Sequence, residues 1–180
     1  MQNINKILNI GSKHLKKSSV KSPKLDSEIL LSHVLNKNLK EMILDCDFKP
    51  KNNDVKKFRS LINRRISGEP IAYILRNKEF WKYNFYVDQN VLIPRPDTEI
   101  IIEEILKIFK KNHKKSVLDI GTGSGCIIIS LAKELPKIYG TAIDISKKAI
   151  NVAKFNAKMH QLKNRIKFYN SSVDNFFKGK

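Results

Sequence analysis

Apolar residues in the first third of the chain recur at helical spacing. Leu25, Ile29, Leu30, Val34 and Leu35 fall at i, i+4, i+5, i+9 and i+10, one face of a helix. Ser22 and Pro23 stand just before that face, in the places of an N-cap and an N1 proline. Val55, Phe58, Leu61, Ile62 and Ile66 repeat the pattern from a start near Asn53 or Asp54 to a stop at Gly68. Ile4, Ile7, Leu8 and Leu15 predict an earlier helix, and residues 42–44 a short one. Such faces bury against one another, so residues 1–76 read as a small helical bundle.

The period changes over 77–95. Phe80, Trp81, Tyr83, Phe85, Tyr86 and Val87 are strand formers with Lys82 and Asn84 interleaved. They predict an aromatic hairpin packing two domains together, its turn at Asn84 or elsewhere in the run. Ile93-Pro94-Arg95-Pro96-Asp97-Thr98-Glu99 follows. Its prolines hold the chain extended, fix the backbone around Arg95 and open a helix that runs to Asn112. From there strands at 116–120, 138–143 and 165–169 alternate with helices at 124–134 and 147–161. The fold class is α/β, with residues 96–180 forming an open parallel sheet whose ligands belong at the carboxyl ends of its strands. Asp119, the run Gly121 to Gly125, Asp144 and Ser172 all lie at those ends.

Candidate chemistry concentrates at the first of these strands. Val117-Leu118-Asp119-Ile120-Gly121-Thr122-Gly123-Ser124-Gly125 ends an apolar run in a carboxylate and turns through three glycines that leave backbone bare for a ligand. Asp144 closes the next strand, where a carboxylate meets a ribose. A dinucleotide site wants its third small residue one position later, where Cys126 stands, and no Lys-Ser/Thr pair follows to make a phosphate loop. The spacing resembles motif I of class I S-adenosylmethionine-dependent methyltransferases. A dinucleotide site and a ligand-free glycine turn are the alternatives.

Composition narrows the picture further. Thirty-five Lys and Arg against seventeen Asp and Glu give a net charge of +18. That charge fits docking near ribosomal RNA or an acidic partner. Most of the cations are lysines spread over every segment, however, as compositional drift with solvated faces would also give. No apolar stretch is long enough to span a bilayer, and the N-terminus lacks the continuous apolar core of a secretory signal. Cys46 and Cys126 are far apart and the four histidines dispersed, so no metal site is expected and a reducing, cytoplasmic setting is.

Four blocks carry a resemblance: Ser22-Pro23-Lys24-Leu25-Asp26-Ser27-Glu28-Ile29-Leu30-Leu31, Gly68-Glu69-Pro70-Ile71-Ala72-Tyr73, Glu79-Phe80-Trp81 and Leu92-Ile93-Pro94-Arg95-Pro96-Asp97-Thr98-Glu99. With the glycine loop they resemble the release-factor glutamine N(5)-methyltransferases, the HemK-type family, over nearly the whole chain. The resemblance implies a helical domain that helps recognise a peptide chain release factor. It also implies a Rossmann-like domain that uses S-adenosylmethionine to methylate the glutamine amide of that factor's Gly-Gly-Gln loop. Carried over by position, Gly121, Thr122, Gly123, Ser124 and Gly125 line the methionine and ribose side of the cofactor. Asp144 accepts the ribose hydroxyls, Asp119 helps hold the methionine ammonium, and Ser172 and Val173 stand beside the adenine. Arg95, Thr98 and Glu99 fall at the cofactor entrance or substrate side. The family's Asn-Pro-Pro-Tyr motif does not occur before Lys180, so no catalytic residue is assigned. The chain is read as truncated and inactive alone, its strand at 117–120 left with an open edge for a second polypeptide to complete. A non-catalytic binding module and a nucleic-acid amino-methyltransferase are the competing functions.

Overall fold

Asn3 opens the first helix: its Oδ1 accepts the Lys6 N–H at 3.1 Å and caps α1 (Ile4–Lys17). The computed structural model describes residues 3–45, 48–109 and 114–178, and the chain divides into the units Met1–Leu75 and Arg76–Lys180. Cys46, His113 and the expected helix end at Asn112 lie outside the described residues.

In the first unit α1 is followed by α2 (Pro23–Leu35), α3 (Leu39–Leu44), α4 (Asn52–Ile66) and α5 (Ile71–Leu75). Their apolar faces close on a core that includes Ile7, Leu15, Leu30, Leu31, Phe58 and Ile62. Gly11 sets how closely α1 approaches α2 and α4. A Cβ there would lie 2.6 Å from Phe58 Cζ and 2.7 Å from Ser27 Oγ. Pro23 does occupy the first turn of α2, but the Ser22 hydroxyl makes no capping bond. Leu25, expected on the buried face, is 48% exposed, while Asp26 and Ser27 turn inward. Both inward groups are satisfied. Arg65 Nε donates to Asp26 Oδ2 at 2.7 Å and Ser27 Oγ to the Leu8 carbonyl at 3.2 Å.

The second unit starts with the hairpin of β1 (Lys78–Phe80) and β2 (Tyr83–Phe85), paired Lys78↔Phe85, Glu79↔Asn84 and Phe80↔Tyr83. The turn therefore falls at Trp81-Lys82, and Asn84 lies inside a strand. Trp81 adopts φ 58, left-handed, and its N–H donates to Glu99 Oε1 at 2.9 Å. Phe80 and Phe85 belong to the core of this second unit. A short 3₁₀ turn at Pro96–Thr98 leads into α6 (Glu99–Ile108). Next come β3 (Ser116–Ile120), α7 (Cys126–Glu134), β4 (Tyr139–Asp144), α8 (Lys147–Met159), β5 (Ile166–Asn170) and α9 (Val173–Lys178).

The three later strands form a parallel sheet in the order β3-β4-β5, a Rossmann-like α/β arrangement. Helix α7 lies so close on the sheet that a Cβ on Gly140 would meet Ile128 Cγ1 at 2.7 Å. Arg165 closes the far end. Its guanidinium donates to the carbonyls of Ala132 and Leu135 at 2.8 Å and of Ile138 at 3.0 Å, where α7 gives way to β4. Among the described residues no helix is long and apolar enough to cross a membrane, and no cluster of His, Cys, Asp or Glu suits a metal.

Candidate functional site

Parallel register brings the carboxyl ends of the three strands together. Ile120 pairs with Ile143, and Asp144 with Asn170. At the end of β3 the chain reverses into the glycine loop, and the Ile143 carbonyl accepts both the Gly121 N–H at 2.9 Å and the Thr122 N–H at 3.0 Å. The loop is thus hung on the neighbouring strand by main-chain bonds.

Its three glycines do different work. All have positive φ, a region costly for residues with a Cβ. Around Gly121 nothing lies within 4 Å of a built Cβ, and at Gly123 only the Gly121 carbonyl does, at 4.0 Å. Those two present bare backbone. Gly125 faces the interior: a Cβ would meet Ile129 Cδ1 at 3.0 Å and the Ala153 Cβ at 3.2 Å, so it lets α7 start against α8. The left-handed Gly125 also explains why α7 begins at Cys126 rather than at residue 124. Thr122 and Ser124 are buried.

Two carboxylates border the loop. Asp144 Oδ2 accepts the Gly123 N–H at 3.0 Å and Oδ1 the Ser146 N–H at 2.8 Å, leaving further lone pairs on a half-buried group at the end of β4. Asp119 Oδ2 accepts the Thr122 hydroxyl at 2.8 Å. Burial pushes the Asp119 carboxyl above the usual range, aided by the negative charge of Asp144. The bonds from Thr122 and the Ile128 N–H pull the other way. A cation arriving beside Asp119 would favour its charged form. The Cys126 thiol, buried behind the loop, is pushed up to about 11 by desolvation and is no nucleophile.

The third strand contributes less. Ser172 Oγ accepts the Asn175 N–H at 3.3 Å at the head of α9, and Val173 is exposed. Ile145, directly after Asp144, leaves 79% of its surface exposed, an apolar platform beside the carboxylate that periodicity treats as an ordinary strand end. Arg95 is exposed and its guanidinium bonds to no described residue. The Thr98 N–H donates to the Arg95 carbonyl at 3.1 Å, and Glu99 holds the Trp81 turn. Among the described residues no hydrogen bond joins these three to the glycine loop.

One residue absent from the sequence reading organises the loop's inner side. Asn156, wholly buried on α8, donates to the carbonyls of Ser124 at 2.8 Å and Tyr86 at 3.0 Å, and its Oδ1 accepts the Tyr86 N–H at 2.8 Å. A signal existed only in hindsight, as one polar residue on the buried face of an amphipathic helix.

Residues 6–75 match the PrmC N-terminal domain and residues 111–178 a methyltransferase domain. A release factor glutamine methyltransferase of Coxiella burnetii is 42% identical over 144 residues, 80% of this chain and 52% of the relative. Another, from Buchnera aphidicola subsp. Baizongia pistaciae, is 43% identical over 175 residues, 94% of this chain and 62% of the relative. A bifunctional methyltransferase of Rickettsia bellii is 37% identical over 195 residues, 94% of this chain and 35% of the relative. The chain spans about half the length of the curated relatives it matches.

Proposed function

Because the chain belongs to the release factor glutamine methyltransferase family, we propose that it supplies the S-adenosylmethionine-binding portion of an enzyme that methylates the glutamine amide of a peptide chain release factor. The observation that carries this is the pairing of Asp144 with the open backbone of Gly121 and Gly123 at the carboxyl ends of β3 and β4. In this reading Asp144 accepts the ribose hydroxyls and the two glycines admit the methionine and ribose portions to the main chain. Asp119 faces the methionine ammonium. Ile145 offers the adenine an apolar surface, with Ser172 and Val173 at its edge. The helical unit Met1–Leu75 takes the recognition of the release factor, and Arg95 and Thr98 stand on the substrate side.

The group transferred is the cofactor's sulfonium methyl. An amide nitrogen is a weak nucleophile because its lone pair is delocalised into the carbonyl, so it must be aimed by acceptors for its hydrogens. Residues 1–180 hold no Asn-Pro-Pro-Tyr motif to do this. The role assigned to these residues is therefore holding the cofactor.

Calorimetric titration with S-adenosylhomocysteine tests the site. Binding is expected in the parent, and Asp144→Ala should weaken it by about 10- to 100-fold, the worth of hydrogen bonds to a charged acceptor. Asp144→Asn, which keeps an acceptor for the backbone, separates loss of charge from loss of loop structure. An Asp144→Ala variant that binds like the parent would refute the ribose assignment.

A further inference from the structure

The excess charge of the second unit is not spread evenly. From Ile145 to Val173 there are seven cationic residues and no acidic one, whereas residues 76–144 carry eleven cationic and nine acidic. Arg165 is spent on internal carbonyls. The six lysines that remain, at 147, 148, 154, 158, 163 and 167, are all exposed. Between Asp144 and Asp174 these lysines therefore stand with no acidic residue in the sequence to offset them.

Several of these lysines frame one groove. A hollow of about 540 Å³ between α8 and β5 has Lys154, Lys158 and Lys163 on its rim and Ile166 and Phe168 in its wall. A second hollow of about 500 Å³, bordered by Lys148 and Asn90, shares Asn151 and Phe155 with the first. The two form a track along the exposed face of α8. Asp88 is the acidic residue lining it, and its carboxylate is occupied by the Asn90 N–H at 2.9 Å and the Tyr86 hydroxyl at 3.3 Å. Between the hollows stands Phe155, 49% exposed, braced edge-on against the Tyr86 ring at 4.9 Å.

We propose that this lysine-rimmed track along α8, with Phe155 at its centre, binds single-stranded RNA. The lysines match a phosphate backbone, and an exposed, braced aromatic ring among them is what an unpaired base stacks on. A hollow of this size admits a flat heterocycle. An acidic peptide would satisfy the lysines but gives no reason for a flat ring at the middle of the row. The inference is independent of the cofactor site, since RNA binding and S-adenosylhomocysteine binding are read separately.

The test is fluorescence anisotropy of a labelled oligouridylate with the full chain, over about 50 to 200 mM salt. The parent should bind with an affinity that falls steeply with salt. The triple variant Lys154→Gln, Lys158→Gln, Lys163→Gln should make the log–log slope shallower by about two, each lost phosphate contact contributing roughly 0.7. Phe155→Leu, which keeps the apolar bulk without the ring, should weaken binding about tenfold with the slope unchanged. Phe155→Ala should do the same if its melting temperature stays near the parent's. A triple variant with the parent's slope, or a Phe155→Leu variant with the parent's affinity, overturns the proposal. So does a polyglutamate peptide that binds as well as the RNA with the same dependence on Phe155, since the face would then be a docking site for acidic protein.

Discussion

Replacing Asn156 by alanine removes three hydrogen bonds at one stroke, one fully buried and two half-buried. The Tyr86 N–H, the Tyr86 carbonyl and the Ser124 carbonyl would all lose a partner that now sits at 2.8 to 3.0 Å. A net loss of about 1 kcal/mol per bond, plus the cost of leaving two or three buried polar groups unpaired, puts the destabilisation at roughly 3–5 kcal/mol. Urea denaturation followed by tryptophan fluorescence is suited to the measurement. Trp81 is the chain's single tryptophan and lies in the second unit, so the signal reports that unit. With an ordinary slope the midpoint should fall by roughly 2 M. Asn156→Asp sharpens the test, because it keeps an acceptor for the Tyr86 N–H but turns a carboxyl toward two carbonyls. Burial and those carbonyls raise the carboxyl's folded pKa above its unfolded value. The penalty should therefore grow as pH rises past about 4, where the unfolded chain ionises freely. S-adenosylhomocysteine affinity should fall with either change, since the Ser124 carbonyl belongs to the glycine loop. An Asn156→Ala variant within about 1 kcal/mol of the parent would refute the account of Asn156 as the loop's inner anchor.

The other expectations concern the loop and the hairpin. Gly125→Ala should cost about 2–4 kcal/mol, the left-handed backbone plus the collision with Ile129 and Ala153, whereas Gly121→Ala, with open space around it, should cost only about 1–2; equal losses in urea would contradict the division of labour. Burial pushes the Glu134 carboxyl up, but bonds from Trp81, Lys82 and Tyr83 outweigh it and hold it below the usual range. Its contribution is therefore present above the unfolded value and lost as pH falls through the depressed folded one, so Glu134→Gln should lower the melting temperature at pH 7 and less so below about pH 4. A penalty independent of pH would count against it. Cys126, with its thiol near 11, should react with iodoacetamide at least about a hundredfold slower than a free cysteine until urea is added, as peptide mass mapping would show; labelling of the native protein at the free rate is the contrary outcome.

Periodicity exposed what depends on local spacing. The helices of the first unit, the alternation from β3 to β5 and the placing of Asp119 and Asp144 at strand ends follow from apolar residues at periods of 3.6 and 2, with glycines at the reversals. What stayed hidden rests on partners distant in the chain. The hairpin turns at Trp81, a residue no turn rule favours, because Glu99, eighteen residues on, captures its N–H. Leu25 faces out because Asp26 finds Arg65 thirty-nine residues away. Asn156 looks like any polar position on a helix until Ser124 and Tyr86 arrive. Within the motif, spacing marks three glycines alike, and only the neighbours of each Cβ separate the two that face a ligand from the one that seats a helix.

The way the glycine loop is hung has a consequence for its length. Gly121 and Thr122 are tied to the Ile143 carbonyl, Ser124 to Asn156, and Gly125 abuts Ala153. The fixtures are set on two elements, β4 and α8, and β3 and β4 are locked in parallel register. An inserted or deleted residue between Asp119 and Cys126 cannot be taken up by a bulge in solvent, as it can in an ordinary surface connection. It would break at least one fixture and move the carboxylate relative to the helix. Variation in this segment is therefore restricted to spelling, and its count of residues is the conserved quantity to look for when more members of the family are aligned.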